Sequence, residues 1–320
     1  MKRWIVGTIA AVASALVLAQ EVYPNRAVKI VVPFAPGGAT DITARLIGEK
    51  LQAKWGQPVV IENHPGAGGN VGSDLVAKAK PDGYTLLVGV TGSHAINTSL
   101  MKSMPYDPLK DFEPLTLATI YPNAIVVNAK VPASTLPELI ALLKAKPATY
   151  SYGSDGNGTA SHLTMELLKA KSGVKITHVP YKGGGPMVTD LLGGQIQVGI
   201  TGLPAVQQHL KAGTLKLIAI TTPQRMPAYP AYPTIAEQGF PGFAAAPWAG
   251  FFAPKGTPQP IVLKVSGALV EVMAMPDVQQ KMQEMGSQLV PNSPAEFRKF
   301  VEDEIAKWSE AVKVSGASVD

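Results

Sequence analysis

The hydrophobic pattern changes period repeatedly along the chain, and each change marks an element. Val28–Phe34 is a short apolar block of the kind that forms a buried strand. Thr40–Lys54 carries Ile42, Leu46, Ile47 and Leu51 on one helical face. Val59–Glu62 predicts a strand, Val71–Lys80 a helix and Tyr84–Val90 another buried strand. Such a β-α-β-α-β series predicts a parallel sheet covered by helices.

A second series begins after Tyr121-Pro122. Strands are predicted at Ala124–Val127, Tyr150–Gly153, Ile176–Pro180, Ile196–Thr201 and Leu215–Thr221, with helices at Leu136–Lys144, Thr159–Lys171 and Pro186–Leu192. The Pro-rich stretch Pro223–Pro233 reads as a connector, and Trp248–Ala253 as one more strand. Three helices are predicted to close the chain, at Gln259–Met273, Asp277–Met285 and Pro294–Val314. The expected fold is α/β with two lobes, each a mostly parallel sheet flanked by helices. The closing helices find a partner surface only on the first lobe, so that lobe is expected to be discontinuous. The expected division is 20–122 for its first part, 123–222 for the second lobe, and 223–320 for the return crossing and the rest of the first. Two crossings, near 121–124 and 222–250, make a hinge, and ligand sites favour the cleft beside one.

The N-terminus sets the compartment. Lys2 and Arg3 precede an uncharged apolar run from Trp4 to Ala19, and Val17-Leu18-Ala19 offers small residues at a cleavage point. This is the layout of a secretory signal peptide over residues 1–19, removed before Gln20. The run is shorter than the roughly 20 residues of a membrane span. The chain has 320 residues and no Cys, which removes disulfides, thiolate metal sites and lipid attachment at this end. Its formal charge is +5, and removal of Lys2 and Arg3 leaves +3. The basic residues are scattered, which gives nucleic-acid binding little support.

Ligands of parallel sheets bind at the carboxyl ends of the strands, so the loops there carry the candidate chemistry. After the first strand stand Phe34, Pro36, Gly37 and Gly38, then Asp41. Paired glycines let backbone approach a ligand, and the helix that follows points free N–H groups at the same space. Asp41 is expected to cap that helix and serve structure, since a carboxylate there opposes a bound anion. After the second strand come Gly66, Ala67, Gly68 and Gly69. They fail the G-x-G-x-x-G fingerprint because position 71 is Val, and no Walker lysine follows. The remaining candidates are Thr91, Ser93 and His94, then Ser154, Asn157, Thr159 and His162, then Tyr181 and Lys182, and Thr201. Trp248 reads as core. Single loops of this kind are ordinary turns. Six at the same sheet edges argue for a ligand site.

Taken in order, these pieces resemble the Bug family, the extracytoplasmic solute receptors of tripartite tricarboxylate transporters. The resemblance spans nearly the whole mature chain. It rests on Tyr23-Pro24, on Val32-Pro33-Phe34-Ala35-Pro36-Gly37-Gly38 with Asp41 and Arg45, and on Asn63 with Gly66-Ala67-Gly68-Gly69. It continues through Pro81-Asp82-Gly83-Tyr84, Gly156-Asn157-Gly158-Thr159 with His162, His178-Val179-Pro180-Tyr181-Lys182-Gly183, and Trp248-Ala249-Gly250. The resemblance implies two lobes closing like a flytrap. The loops Pro36–Gly38 and Gly66–Gly69 would fix one carboxylate, partly through water. Loops near Thr159, His162, Tyr181 and Thr201 would select the rest of the ligand. The partners implied are a large and a small membrane subunit of a transporter. Some relatives carry an acidic or amide residue where Ile200, Thr201 and Gly202 stand here. Its absence points away from an amino acid and toward a plain mono- or dicarboxylate, aliphatic or aromatic.

The expected mechanism is capture by closure of a monomer, with no metal and no cofactor. An exported hydrolase is disfavoured: there is no G-x-S-x-G, no H-E-x-x-H and no Cys, and Ser161 and His162 are helix neighbours that diverge. A receptor that signals the presence of a carboxylate is the other reading this site would serve.

Overall fold

The computed structural model describes residues 23–147, 149–317 and 319. The expected signal peptide lies outside them. In chain order the elements are β1 (Val28–Val32), α1 (Ala39–Trp55), β2 (Val59–Asn63), α2 (Asn70–Ala77), β3 (Thr85–Val90), α3 (Asn97–Leu100), β4 (Phe112–Ile120), β5 (Asn123–Asn128), α4 (Leu136–Ala145), β6 (Ser151–Ser154), α5 (Ala160–Ser172) and β7 (Thr177–Pro180). They continue with α6 (Gly184–Gly193), β8 (Val198–Gly202), α7 (Leu203–Lys211), β9 (Leu215–Ile220), β10 (Trp248–Pro254), α8 (Gln259–Met273), α9 (Pro276–Glu284), β11 (Gln288–Leu289) and α10 (Pro294–Ser315).

The strands form two sheets, in orders β11-β4-β10-β3-β1-β2 and β7-β6-β8-β5-β9. Chain passes between them at Tyr121-Pro122 and again through 221–247. Each sheet is parallel on one side only. β2, β1 and β3 run parallel, while β10 is antiparallel to both β3 and β4. β7, β6 and β8 run parallel, while β5 is antiparallel to β8 and β9. The sheets are therefore mixed rather than mostly parallel. In each, the strand that follows a crossing enters antiparallel at the centre.

Local chemistry explains most boundaries. α1 stops where Gly56 takes φ 63 and donates its N–H to the Gln52 carbonyl. α4 starts on Thr135, whose hydroxyl accepts the Glu138 N–H, and α10 starts on a capping box between Ser293 and Glu296. The helix face foreseen in Thr40–Lys54 does turn inward: Leu46, Ile47 and Leu51 are buried, against strands and against α8 and α9.

Four elements, α3, β4, α7 and β11, escape the hydrophobic pattern, and β4 and α7 are the longest of them. β4 contains Pro114 and two threonines, yet Thr116 and Thr119 are buried. The Thr116 hydroxyl donates to the Asn292 carbonyl and the Thr119 hydroxyl to the Gln288 carbonyl. Pro114 is tolerated beside a register shift between Phe251 and Phe252 of β10. α7 begins directly at Leu203-Pro204, with Pro inside its first turn.

The closing helices do more than complete the first lobe. α8 packs on β4 and α1, but α10 packs on α3 and β4 and also on α5 of the second lobe. Its 22 residues span about 33 Å at 1.5 Å per residue, enough to reach both. Glu304 fixes it, accepting the indole N–H of Trp248 at 3.0 Å and of Trp308 at 2.8 Å.

Candidate functional site

The carboxyl ends of the two parallel strand sets face each other, and the cleft between them is closed. The Ala35 N–H donates to the Lys182 carbonyl across it at 2.8 Å. Glycines meet along the seam. A Cβ on Gly185 would lie 2.1 Å from the Pro36 carbonyl oxygen, and one on Gly68 would lie 2.3 Å from that of Asn157. One on Gly92 would lie 2.8 Å from the Gly158 oxygen. No side chain fits these points, so glycine here permits backbone of one lobe to touch backbone of the other.

Behind the seam is a narrow cavity of about 30 Å³. The first lobe lines it with Phe34, with Gly38, Ala39 and Thr40 at the start of α1, with Val90, Thr91 and Gly92, and with Pro247 and Trp248. Tyr121 lines it at the crossing. The second lobe adds Asn123, Asp155, Thr159, Ala160, Ser161 and Gly184. No Lys, Arg or His is among these lining residues.

The start of α1 is bare. Gly38 is its N-cap and no side chain bonds the free N–H groups of the first turn. The loop before it is pinned from behind. Asp41 Oδ2 accepts the Gly37 N–H at 3.0 Å and the Arg45 Nε–H at 2.9 Å. Asn63 donates to Asp41 Oδ1 and to the Phe34 carbonyl, each at 2.9 Å. Burial pushes the Asp41 carboxyl up, but the bonds from Arg45, Gly37 and Asn63 outweigh it and hold the group below its ordinary value. Asp41 does not cap the helix, contrary to expectation; it lies inside the first turn and reaches back to Gly37.

The start of α5 is dressed with side chains. The Thr159 hydroxyl accepts the His162 N–H and donates to the Gly156 carbonyl at 2.7 Å. Ser161 Oγ lies 2.9 Å from it and accepts the Asp155 N–H at 3.1 Å. Asp155 is the acidic residue of the cavity. Burial raises its carboxyl to about 6, against the pull of hydrogen bonds from Thr201 and Ser161. Burial also raises the Tyr121 phenol, opposed by its hydrogen bond with Thr40 and reinforced by the charge of Asp155.

The expected residues divide into three groups. Phe34, Gly38, Thr91 and Thr159 line the cavity. Gly66, Ala67, Gly68, Asn157, Tyr181 and Lys182 line a second, larger and more open space of about 200 Å³, which shares Phe34 and Asp155 with the first. The two glycine-rich helix starts therefore do not converge on one cavity, contrary to expectation. Gly66–Gly68 is turned toward Asn157 by the seam. Tyr181 there donates to Asp190 at 2.7 Å, and burial first, then that carboxylate, pushes its phenol up to about 12.

The third group lies outside both linings. Ser93 and His94 are fully buried: Nδ1 of His94 is 2.8 Å from Ser93 Oγ, and its ring stacks on Phe252 at 4.3 Å. Burial lowers the His94 pKa to about 3, so the ring is neutral. His162 accepts the Gly158 N–H and stacks on His178, which bonds Ser154 at 2.7 Å. Thr201 lies beneath Asp155, Pro36 and Gly37 face the seam, and Gly69 packs on Phe34. Trp248 is buried with its ring edge-on to Phe297 and Phe300, and it is among the lining residues of the cavity. Sequence reasoning missed Thr40, Tyr121, Asn123, Asp155 and Ser161. Asp155 stands inside a loop already singled out, and Asn123 and Tyr121 at a crossing already foreseen.

Two mixed α/β sheets closing on a cavity lined by uncharged donors define a solute-binding protein of the two-lobed periplasmic type. The particular family is the tripartite tricarboxylate transporter family receptor, to which the chain belongs: the family's sequence model matches residues 43–316. Protein BugT of Bordetella pertussis is 38% identical over 312 residues, covering 97% of this chain and 96% of BugT. Two solved structures are similar throughout. Rpa4515 of R. palustris with adipate has 38% identity and a TM-score of 0.89, covering 92% of this chain and 99% of that one. MatC of Rhodopseudomonas palustris with bound malate has 35% identity and a TM-score of 0.86, covering 91% and 100%.

Proposed function

We propose that this chain is an exported receptor that captures a small mono- or dicarboxylate in the periplasm by closing its two lobes. It then hands the closed complex to the large and small membrane subunits of a tripartite transporter. It acts as a monomer and performs no chemistry on its ligand. The observation that carries this reading is the bare start of α1 in a cavity without cationic side chains. An anion there is held by oriented N–H groups and the helix dipole, and closure replaces water with those donors. Relatives that bind adipate and malate support a carboxylate as the ligand. The seam of glycines supports closure as the mechanism.

A thermal-shift screen of mono-, di- and tricarboxylates against neutral sugars and amines tests the reading. At about 100 times its dissociation constant a ligand adds about 2.7 kcal/mol. A cognate acid is therefore expected to raise Tm by several degrees. A screen in which a neutral or cationic solute stabilises the protein and no acid does would sink the proposal.

A further inference from the structure

The cavity contains two buried side-chain atoms without a hydrogen-bond partner, and they are opposite in kind. Asp155 Oδ1 is an acceptor and Asn123 Nδ2 is a donor. Both residues line the cavity. Buried polar atoms are nearly always paired. The Asp155 carboxyl already takes hydrogen bonds from Thr201 and Ser161. The Asn123 N–H donates to Thr221 Oγ1 at 2.9 Å, and its carbonyl accepts the Thr221 N–H at 3.1 Å. The backbone of Asn123 is thus fixed, and one side-chain atom of each residue has no partner.

Two hydroxyl donors on one carboxyl suit its ionised form. An ionised Asp155 accepts a donor and repels a second anion. Its raised pKa of about 6 still leaves it mostly ionised at neutral pH. Tyr121 is the other titratable group lining the cavity, and Lys182 and Tyr181 line the neighbouring space.

We propose that Asp155 and Asn123 select a carboxylate that bears a hydroxyl, whose O–H donates to Asp155 Oδ1 and whose oxygen accepts from Asn123 Nδ2. This rests on the carboxylate-receptor reading, with the ligand's acid group at the start of α1. A hydroxyl donates and accepts at once, which matches the pair. An ammonium group donates only and leaves Asn123 unpaired, and a methylene leaves both unpaired. The plain acid expected from Ile200, Thr201 and Gly202 gives way, because the acidic group enters from the neighbouring loop.

Calorimetry on the full chain decides it, with 3-hydroxybutanoate against butanoate, malate against succinate, and aspartate against malate. The hydroxy acid of each pair is expected to bind at least about tenfold tighter. Asp155→Ala should bring the pairs to within about threefold, and Asn123→Ala should narrow them, with circular dichroism unchanged. Should a variant misfold, the wild type still answers. Its preference for 3-hydroxybutanoate should shrink between pH 7.5 and 5.5, as a proton takes the acceptor position on Asp155. Equal binding within pairs, or a preference that survives Asp155→Ala, overturns the assignment and leaves the carboxylate reading intact. So does a preference for aspartate, or for succinate growing as pH falls. If no acid binds the wild type, both readings fall.

Discussion

The two lobes repeat one strand order, β2-β1-β3-β10-β4 in the first and β7-β6-β8-β5-β9 in the second, yet their equivalent helix starts differ in kind. α1 follows the central parallel strand β1 and opens on Gly38 with no side chain on its N–H groups. α5 follows the equivalent strand β6 and opens among Thr159, Ser161 and Asp155. Bare amides bind any carboxylate alike, since they see only charge and two oxygens. Hydroxyls and a carboxylate distinguish one acid from another, because a mismatched group leaves them unpaired. On the proposed function, the repeated architecture assigns grip to one lobe and choice to the other.

The separation requires closure, and the largest expected effect comes from blocking it. Gly68 has φ +63, and a Cβ there meets the Asn157 carbonyl oxygen. Gly68→Val should therefore weaken binding at least about hundredfold, since apparent affinity falls with the fraction able to close. Gly185→Ala is the cleaner test, for Gly185 lies outside the cavity lining and its Cβ would meet the Pro36 oxygen. Replacing glycine within α6 by alanine favours the open protein's helix by up to about 1 kcal/mol. The variant should show a higher ligand-free Tm, at least about tenfold weaker binding, and no compaction in X-ray scattering with ligand. Wild-type affinity in Gly185→Ala would mean that one lobe suffices.

Next comes the charge in the second lobe. Asp155 titrates at about 6 in the fold against an ordinary 3.8. At about 1.4 kcal/mol per pKa unit, the gap corresponds to about 3 kcal/mol at most. The folded pKa is the higher, so the folded protein takes up the proton first as pH falls. Ligand-free stability should accordingly rise as pH drops from about 7 to about 4, as far as this group decides it. Asp155→Asn should remove that dependence. Its denaturant midpoint should exceed the wild type's at pH 8 and converge on it near pH 4. A residue that destabilises the empty fold while aiding recognition is placed for function. An Asp155→Asn variant less stable than wild type at pH 8 would make the carboxylate structural instead.

Most strands and helices were legible because period and length agreed, though the mixed strand directions were not. Ile47 and Leu51 on α1 and the apolar block of β3 are buried as the pattern requires. β4 was not legible, since its buried threonines are satisfied by Asn292 and Gln288, far away in sequence. At the cleft, glycine content pointed to loops whose glycines let the two lobes meet backbone to backbone. The sequence cannot tell a glycine that admits a ligand from one that admits the opposite backbone, as Gly68 and Gly185 do. His94 looked polar and is held in an aromatic core by stacking on Phe252. Asp155 stands among turn residues in its loop, and nothing in the sequence marks its carboxylate as one that lines the cavity.

The smallest effect sharpens the contrast most. Thr159→Gly gives α5 the same bare start that Gly38 gives α1. Glycine at an N-cap loses only a few tenths of a kcal/mol against threonine, where alanine would lose about 1. Tm should therefore move little. The His162 N–H, now accepted by Thr159 Oγ1 at 3.3 Å, is released, and Ser161 Oγ loses its neighbour at 2.9 Å. The hydroxyls that orient Asp155 then have more freedom, so acids should be less well distinguished while affinity for the shared carboxylate holds. Calorimetry of 3-hydroxybutanoate and butanoate on Thr159→Gly reads both quantities at once. Their ratio is expected to fall about two- to fivefold, with the weaker ligand unchanged, because a single neutral hydrogen bond contributes about 1 kcal/mol. If both ligands weaken together, α5 rather than α1 grips the acid group, and the roles of the two lobes are reversed.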